Sequence, residues 1–227
     1  GTPSVFGTFS FTVTATDSST GTGPYAASQS YTVEILPATP VAGAVSVSLP
    51  YGAPTTPVPL NLSGGVPTAI EIVTNAANGV LTVDGIGITY RPNPSFSGID
   101  SFIYKASNPG GTSQPATVTV TVDAPSLSVT ASGPLSTTVG ASYSQTFSFN
   151  GGAEPFGSYQ VTGLPAGVEV TESTLDSVTI AGIPRAQGTF AISVSAIDSS
   201  IGDGPFPVGG VFNLNVGAPN LVLAPAS

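Results

Sequence analysis

Apolar residues recur at every second position through long stretches of this chain. Phe9, Phe11, Val13 and Ala15 alternate with Thr and Ser, as do Ala116, Val118, Val120 and Val122, and Phe190, Ile192, Val194 and Ala196. A period of two places alternate side chains on opposite faces of a strand, so each stretch predicts one buried face and one wet face. The same reading predicts strands over 43–49, 57–62, 68–74, 79–83, 86–91, 101–107 and 114–122. A second set is predicted over 126–131, 143–149, 158–162, 167–171, 176–181, 189–197 and 209–216. Asn78-Gly79, Asp84-Gly85, Asn150-Gly151 and Pro109-Gly110-Gly111 fall between strands and suit turns that need positive φ.

The chain also repeats itself. Residues 182–216 match residues 1–35 without a gap, at an offset of 181, with 13 of 35 positions identical. The identities include Gly7/Gly188, Phe9/Phe190, Val13/Val194, Asp17/Asp198, Gly21/Gly202 and Pro24/Pro205. Ala218-Pro219-Asn220-Leu221 echoes Ala124-Pro125-Ser126-Leu127 more weakly. These matches predict four pieces. Residues 1–36 are the C-terminal half of one domain, 37–123 a complete domain of another type, 124–217 a complete copy of the first type, and 218–227 the opening strand of a further one. Pro37, Pro40, Pro125 and Pro219 mark the joints, and short Pro-containing joints hold neighbours more stiffly than Gly/Ser linkers. Seven short strands per complete domain predict an all-β fold of tandem Ig-like β-sandwiches. An up-and-down barrel and a β-helix are the other all-β readings, and so long a period argues against a β-helix.

Composition narrows the function. Charged residues make up 7% of the 227, with three Lys and Arg against twelve Asp and Glu, for a net charge of −9. Nucleic acid requires a basic face, which Arg91, Lys105 and Arg185 do not make. The chain has no Cys, His, Met or Trp. That excludes disulfides, thiolate metal sites and Cys nucleophiles, and removes the commonest general base. No apolar run is long enough for a membrane span. Without Met, the chain is expected to be a stretch of a longer protein.

The segments Gly163-Leu164-Pro165-Ala166-Gly167-Val168, Ile180-Ala181-Gly182-Ile183-Pro184, Gly188-Thr189-Phe190 and Ala196-Ile197-Asp198-Ser199-Ser200 together resemble the Ig-like, cadherin-like repeats of bacterial surface proteins. Residues 1–17 resemble the later half of the same pattern. Residues 78–83 and 89–104 resemble a second bacterial Ig-like type, with Asn108 where such repeats often carry Asp. The resemblance implies spacer domains in large adhesins, cell-wall proteins and filaments.

Candidate chemistry is sparse. Asp17 and Asp198 each follow a long alternating strand and precede Ser-Ser and a Gly-rich loop. One reading makes Asp198, Asp203 and Asp17 ligands of Ca²⁺, a hard cation that takes carboxylate and carbonyl oxygens. The other makes each Asp the cap of an Asx turn, and it is favoured. Asp100 and Asp123 carry the same two readings. Lys105, the lone lysine, suggests an isopeptide cross-link only if it is buried beside a carboxylate, and its place next to Tyr104 predicts that it points outward. A Ser nucleophile lacks a His partner, and the acidic group Glu169, Glu172 and Asp176 is expected on an exposed strand pair.

The expected role is therefore structural and not enzymatic. The chain is expected to be a repeat segment of a large extracellular bacterial surface protein, forming a rigid stalk, fibre or sheath. It needs no cofactor, with Ca²⁺ the one candidate. Its partners are neighbouring repeats, with lateral or end-to-end self-assembly, since few charges oppose it. A Ca-dependent or glycan-binding adhesion module is the alternative, and an accessory region of a secreted glycan-degrading enzyme is the third reading.

Overall fold

The computed structural model describes residues 1–219. Residues 220–227, most of the predicted opening strand, lie outside the described residues. Among those described, every regular element is a strand. They are β1 (Gly7–Thr16), β2 (Ala26–Ile35), β3 (Pro40–Gly43), β4 (Val45–Leu49), β5 (Thr56–Val58), β6 (Asn61–Gly64) and β7 (Ala69–Thr74). There follow β8 (Gly79–Asp84), β9 (Gly87–Pro92), β10 (Phe96–Asn108), β11 (Gly111–Thr112), β12 (Ala116–Val122), β13 (Ser128–Ala131) and β14 (Ser136–Thr138). The last are β15 (Tyr143–Asn150), β16 (Gly157–Thr162), β17 (Val168–Ser173), β18 (Ser177–Gly182), β19 (Gly188–Ile197), β20 (Ile201–Gly202) and β21 (Pro207–Gly217).

The chain forms two compact units. The first comprises residues 1–47, 55–91 and 101–119; the second comprises 48–54, 92–100 and, among the described residues, 120–219.

In the first unit, β1 and β2 make a ten-rung antiparallel hairpin from Gly7↔Ile35 to Thr16↔Ala26. One face is a ladder of hydroxyls, Ser10–Thr32, Thr12–Ser30 and Thr14–Ser28, at 3.4, 3.1 and 2.8 Å. The other carries Phe9, Phe11, Val13, Tyr31 and Val33, all exposed. Strand β3 pairs β6, β5 pairs β9, and β7 pairs β10. The sheet orders β11-β10-β12-β4 and β5-β9-β8 complete the predicted 37–123 strands. Tyr90, Tyr104, Phe102 and Ile88 are buried, as their alternation requires. The Tyr104 hydroxyl is shared between the carbonyls of Gly43 and Asn61, at 2.9 and 3.2 Å, so the polar end of this core ring is satisfied. Gly79 is obligatory on steric grounds: a Cβ there would lie 2.2 Å from the Tyr90 ring.

The second unit contains a sandwich of two four-stranded sheets, β13-β15-β18-β17 and β14-β21-β19-β16. Inward side chains from both sheets form one core. Phe147, Phe149, Val178 and Ile180 come from the first sheet, and Ile192, Val194, Leu214 and Val216 from the second. Phe147 packs on Phe212, ring centroids 4.8 Å apart. Burial of each large apolar side chain stabilises by about 1.5–3 kcal/mol before cavity terms.

Candidate functional site

Asp198 lies at the end of β19 and is buried. Its Oδ1 accepts hydrogen bonds from the amides of Phe206 (2.7 Å) and Ser200 (3.2 Å), and its Oδ2 accepts from the amide of Ala153 (3.2 Å) and from the Ser200 hydroxyl. Because the carboxylate has no proton to give, Ser200 is the donor. Its oxygen is then the acceptor for the Tyr51 hydroxyl, 3.0 Å away. A relay of Tyr51, Ser200 and Asp198 results, all inside the second unit.

The loop following Asp198 also docks by backbone. Ile201 and Gly202 pair in parallel with Phe96 and Ser97 of β10. The Ile201 amide donates to Ser95 O at 2.8 Å, and the Asp203 amide to Ser97 O at 3.0 Å. Residues from the predicted 37–123 and 124–217 stretches are therefore zipped together, and the glycine at 202 is required. A Cβ there would lie 2.0 Å from Ser97 O.

Asp17 repeats the cap in the first unit. Its Oδ1 accepts from the amides of Tyr25 (2.9 Å) and Ser19 (3.2 Å), and its Oδ2 from the Ser19 hydroxyl (2.5 Å). The Ser19 hydroxyl and then the two amides hold this exposed carboxyl below its ordinary value. At Asp198 burial pushes upward. The amide of Phe206, the Ser200 hydroxyl and the amides of Ala153 and Ser200 together outweigh it, and the carboxyl again sits below its ordinary 3.8.

A depressed carboxylate stabilises the fold fully above its unfolded value and loses that contribution as pH falls through its folded value. Urea midpoints are accordingly expected to be flat above about pH 5 and to fall in stronger acid. Asp198→Asn should lower stability at neutral pH by about 1–3 kcal/mol and flatten the acid limb. An unchanged midpoint at pH 7 would show that the cap contributes nothing.

Asp203 lies over Gly98, where a Cβ would come 2.9 Å from its Oδ1. No group of three or more acidic side chains suited to a metal ion occurs among the described residues. Asp100 is buried, and the Asp123 amide donates to Leu49 O at 2.9 Å. Lys105 is half-buried and stands opposite Glu71 in the β10–β7 register. Glu169, Glu172 and Asp176 are exposed on and beside the β17–β18 pair.

Asn108 has a role that sequence reading missed. Its Nδ2 donates to the carbonyls of Ala38 (2.8 Å) and Val66 (3.1 Å), and its Oδ1 accepts from the Gly110 amide (2.8 Å). A carboxylate has no proton for either carbonyl, so the amide is chemically required. Beside it is a cavity of about 640 Å³ lined by Phe6, Glu34, Leu36, Pro37, Val66 and Pro109 among others.

Residues 37–121 match the family model described as Bacterial Ig domain. That stretch is similar to a bacterial Ig domain, and its elements are all strands, as an Ig-like fold requires. No curated protein matches the chain. Among solved structures, an endo-fucoidan hydrolase of glycoside hydrolase family 107 matches at 16% identity and a TM-score of 0.36, over 96% of this chain and 35% of that one. The Yersinia pseudotuberculosis adhesin InvE matches at 14% and 0.32, over 78% of this chain and 58% of that one. Domains 4–9 of the surface layer protein SbsC match at 16% and 0.28, over 96% of this chain and 36% of that one. The chain spans about a third of the fucoidan hydrolases' length.

Proposed function

We infer that this chain is a structural segment of a large extracellular bacterial surface protein, in which Ig-like β-sandwiches follow one another as a rigid stalk, fibre or sheath. The observation that carries the reading is the joint between residues 37–121 and the stretch that follows them. The backbone ladder of β10 with β20 and the Tyr51–Ser200–Asp198 relay replace a free linker with directional hydrogen bonds. The contacts are made by backbone groups, the Tyr51 and Ser200 hydroxyls and one capped carboxylate, with no ion pair between them, so the joint depends little on salt. Neighbouring repeats of the same polypeptide are the partners, and lateral contact between copies meets little charge repulsion.

A Ca-dependent adhesion module makes the opposite demand on the loops after Asp17 and Asp198. Thermal melting of the chain in Ca²⁺ and in EDTA separates the two. The structural reading expects midpoints within about 1 °C of each other, because a ligand that binds the folded state raises the midpoint by mass action. A rise of several degrees in Ca²⁺ would replace the structural reading with the adhesion module.

A further inference from the structure

Hairpin β1–β2 and the β19–β21 pair are one structure in two states of cover. Their registers coincide at the offset of 181, from Gly7↔Ile35 and Gly188↔Val216 to Thr16↔Ala26 and Ile197↔Pro207. Gly7 and Gly188 have φ of 136° and 142°, and Gly21 and Gly202 have 95° and 86°. Asp17 caps the Tyr25 amide as Asp198 caps that of Phe206. The cover differs. Ile192, Val194 and Leu214 are 0% exposed, whereas their equivalents Phe11, Val13 and Val33 are 50%, 51% and 46% exposed. Phe212 packs on Phe147, but its equivalent Tyr31 stacks on Phe11 of its own hairpin, at 5.6 Å.

Residues 124–182 do the covering in the closed copy. Strands β13, β15, β18 and β17 lie over the apolar face, β16 pairs the free edge of β19, and β14 pairs that of β21 in parallel. Gly182-Ile183-Pro184 then leads into β19, and Gly1-Thr2-Pro3 leads into β1. We propose that the open face of β1–β2 is a docking surface for a stretch with the pattern of residues 124–181. A second hairpin laid face to face would leave both edges of each hairpin without a partner strand. A stretch of the 124–181 pattern supplies the face and both edges together. The proposal rests on the repeat reading of the chain and is independent of where the protein resides.

The test joins a copy of residues 124–181 to Gly1 of the whole 227-residue chain and follows amide hydrogen exchange of β1 and β2. The expected result is a slowing of at least about a hundredfold, to the level of β19 and β21. The 227-residue chain is expected to bind a hydrophobic dye through this open face, and the longer chain is expected not to. Val13→Asp should leave the urea midpoint of the 227-residue chain unchanged and abolish the new protection in the longer one. Unchanged exchange in the longer chain, whether its added segment folds apart or stays unfolded, overturns the proposal. So does a concentration-dependent dimer that protects β1 and β2 at 227 residues and persists after the addition. The adhesion-module outcome of the Ca²⁺ experiment moves neither readout, so the two ideas fail separately.

Discussion

Val194→Ala is expected to destabilise the sandwich of residues 124–217 by about 2–3 kcal/mol, and Val13→Ala to cost less than about 1 kcal/mol. The two valines occupy the same rung of the same hairpin, 181 residues apart. They share the strand propensity lost on truncation, so that cost cancels in the comparison. What remains is the environment. Val194 is fully buried among Phe147, Ile180, Ile192 and Leu214, and removing two methyls leaves a hole that its neighbours fill only partly. Val13 is half exposed and loses only part of a hydration benefit. Urea unfolding of each variant gives the numbers. Equal losses at the two positions would mean that the open hairpin is buried in solution.

Gly202→Ala is expected to cost about 2 kcal/mol more than Gly21→Ala. The two glycines have nearly the same positive φ, so the backbone strain of adding a Cβ is common to both. A Cβ at Gly21 meets nothing within 4 Å, whereas at Gly202 it would lie 2.0 Å from Ser97 O and 2.8 Å from the Phe96 ring. Relief requires β20 to leave β10, which gives up the amide bonds of Ile201 to Ser95 and Asp203 to Ser97, at about 1 kcal/mol each. The variant should keep both core regions and free the joint, seen as faster exchange of the Ile201 and Asp203 amides. If those amides stay protected, the ladder is not what holds the joint.

The strands legible in the sequence were those with an apolar face. Alternation located β12, β15, β18, β19 and β21 within two residues at each end, because each sends every second side chain into a core. It missed β14, whose Ser136-Thr137-Thr138 joins β21 by backbone alone, and β20, a two-residue bridge. It also started β10 too late. Phe96 and Ser97 join the strand through Ser95 and Gly98, whose φ of 68° and 120° break the simple pattern. At the candidate site, the repeated Asp-Ser-Ser pointed to the right residues but not to their partners. The amides of Tyr25, Phe206 and Ala153 are supplied by chain folding back, which spacing does not reveal. Tyr51 and Asn108 gave no signal, since Tyr51 acts on Ser200, 149 positions away, and Asn108 on Ala38 and Val66, 70 and 42 positions away.

The most direct measurement is site-resolved amide hydrogen exchange on the 227-residue chain at a concentration where it sediments as one species. Because the apolar faces are consumed in closing each sandwich, β19 and β21 are expected to exchange only with global unfolding of their unit, and β1 and β2 at least about a hundredfold faster. Equal protection of the two hairpins in the monomer would contradict this.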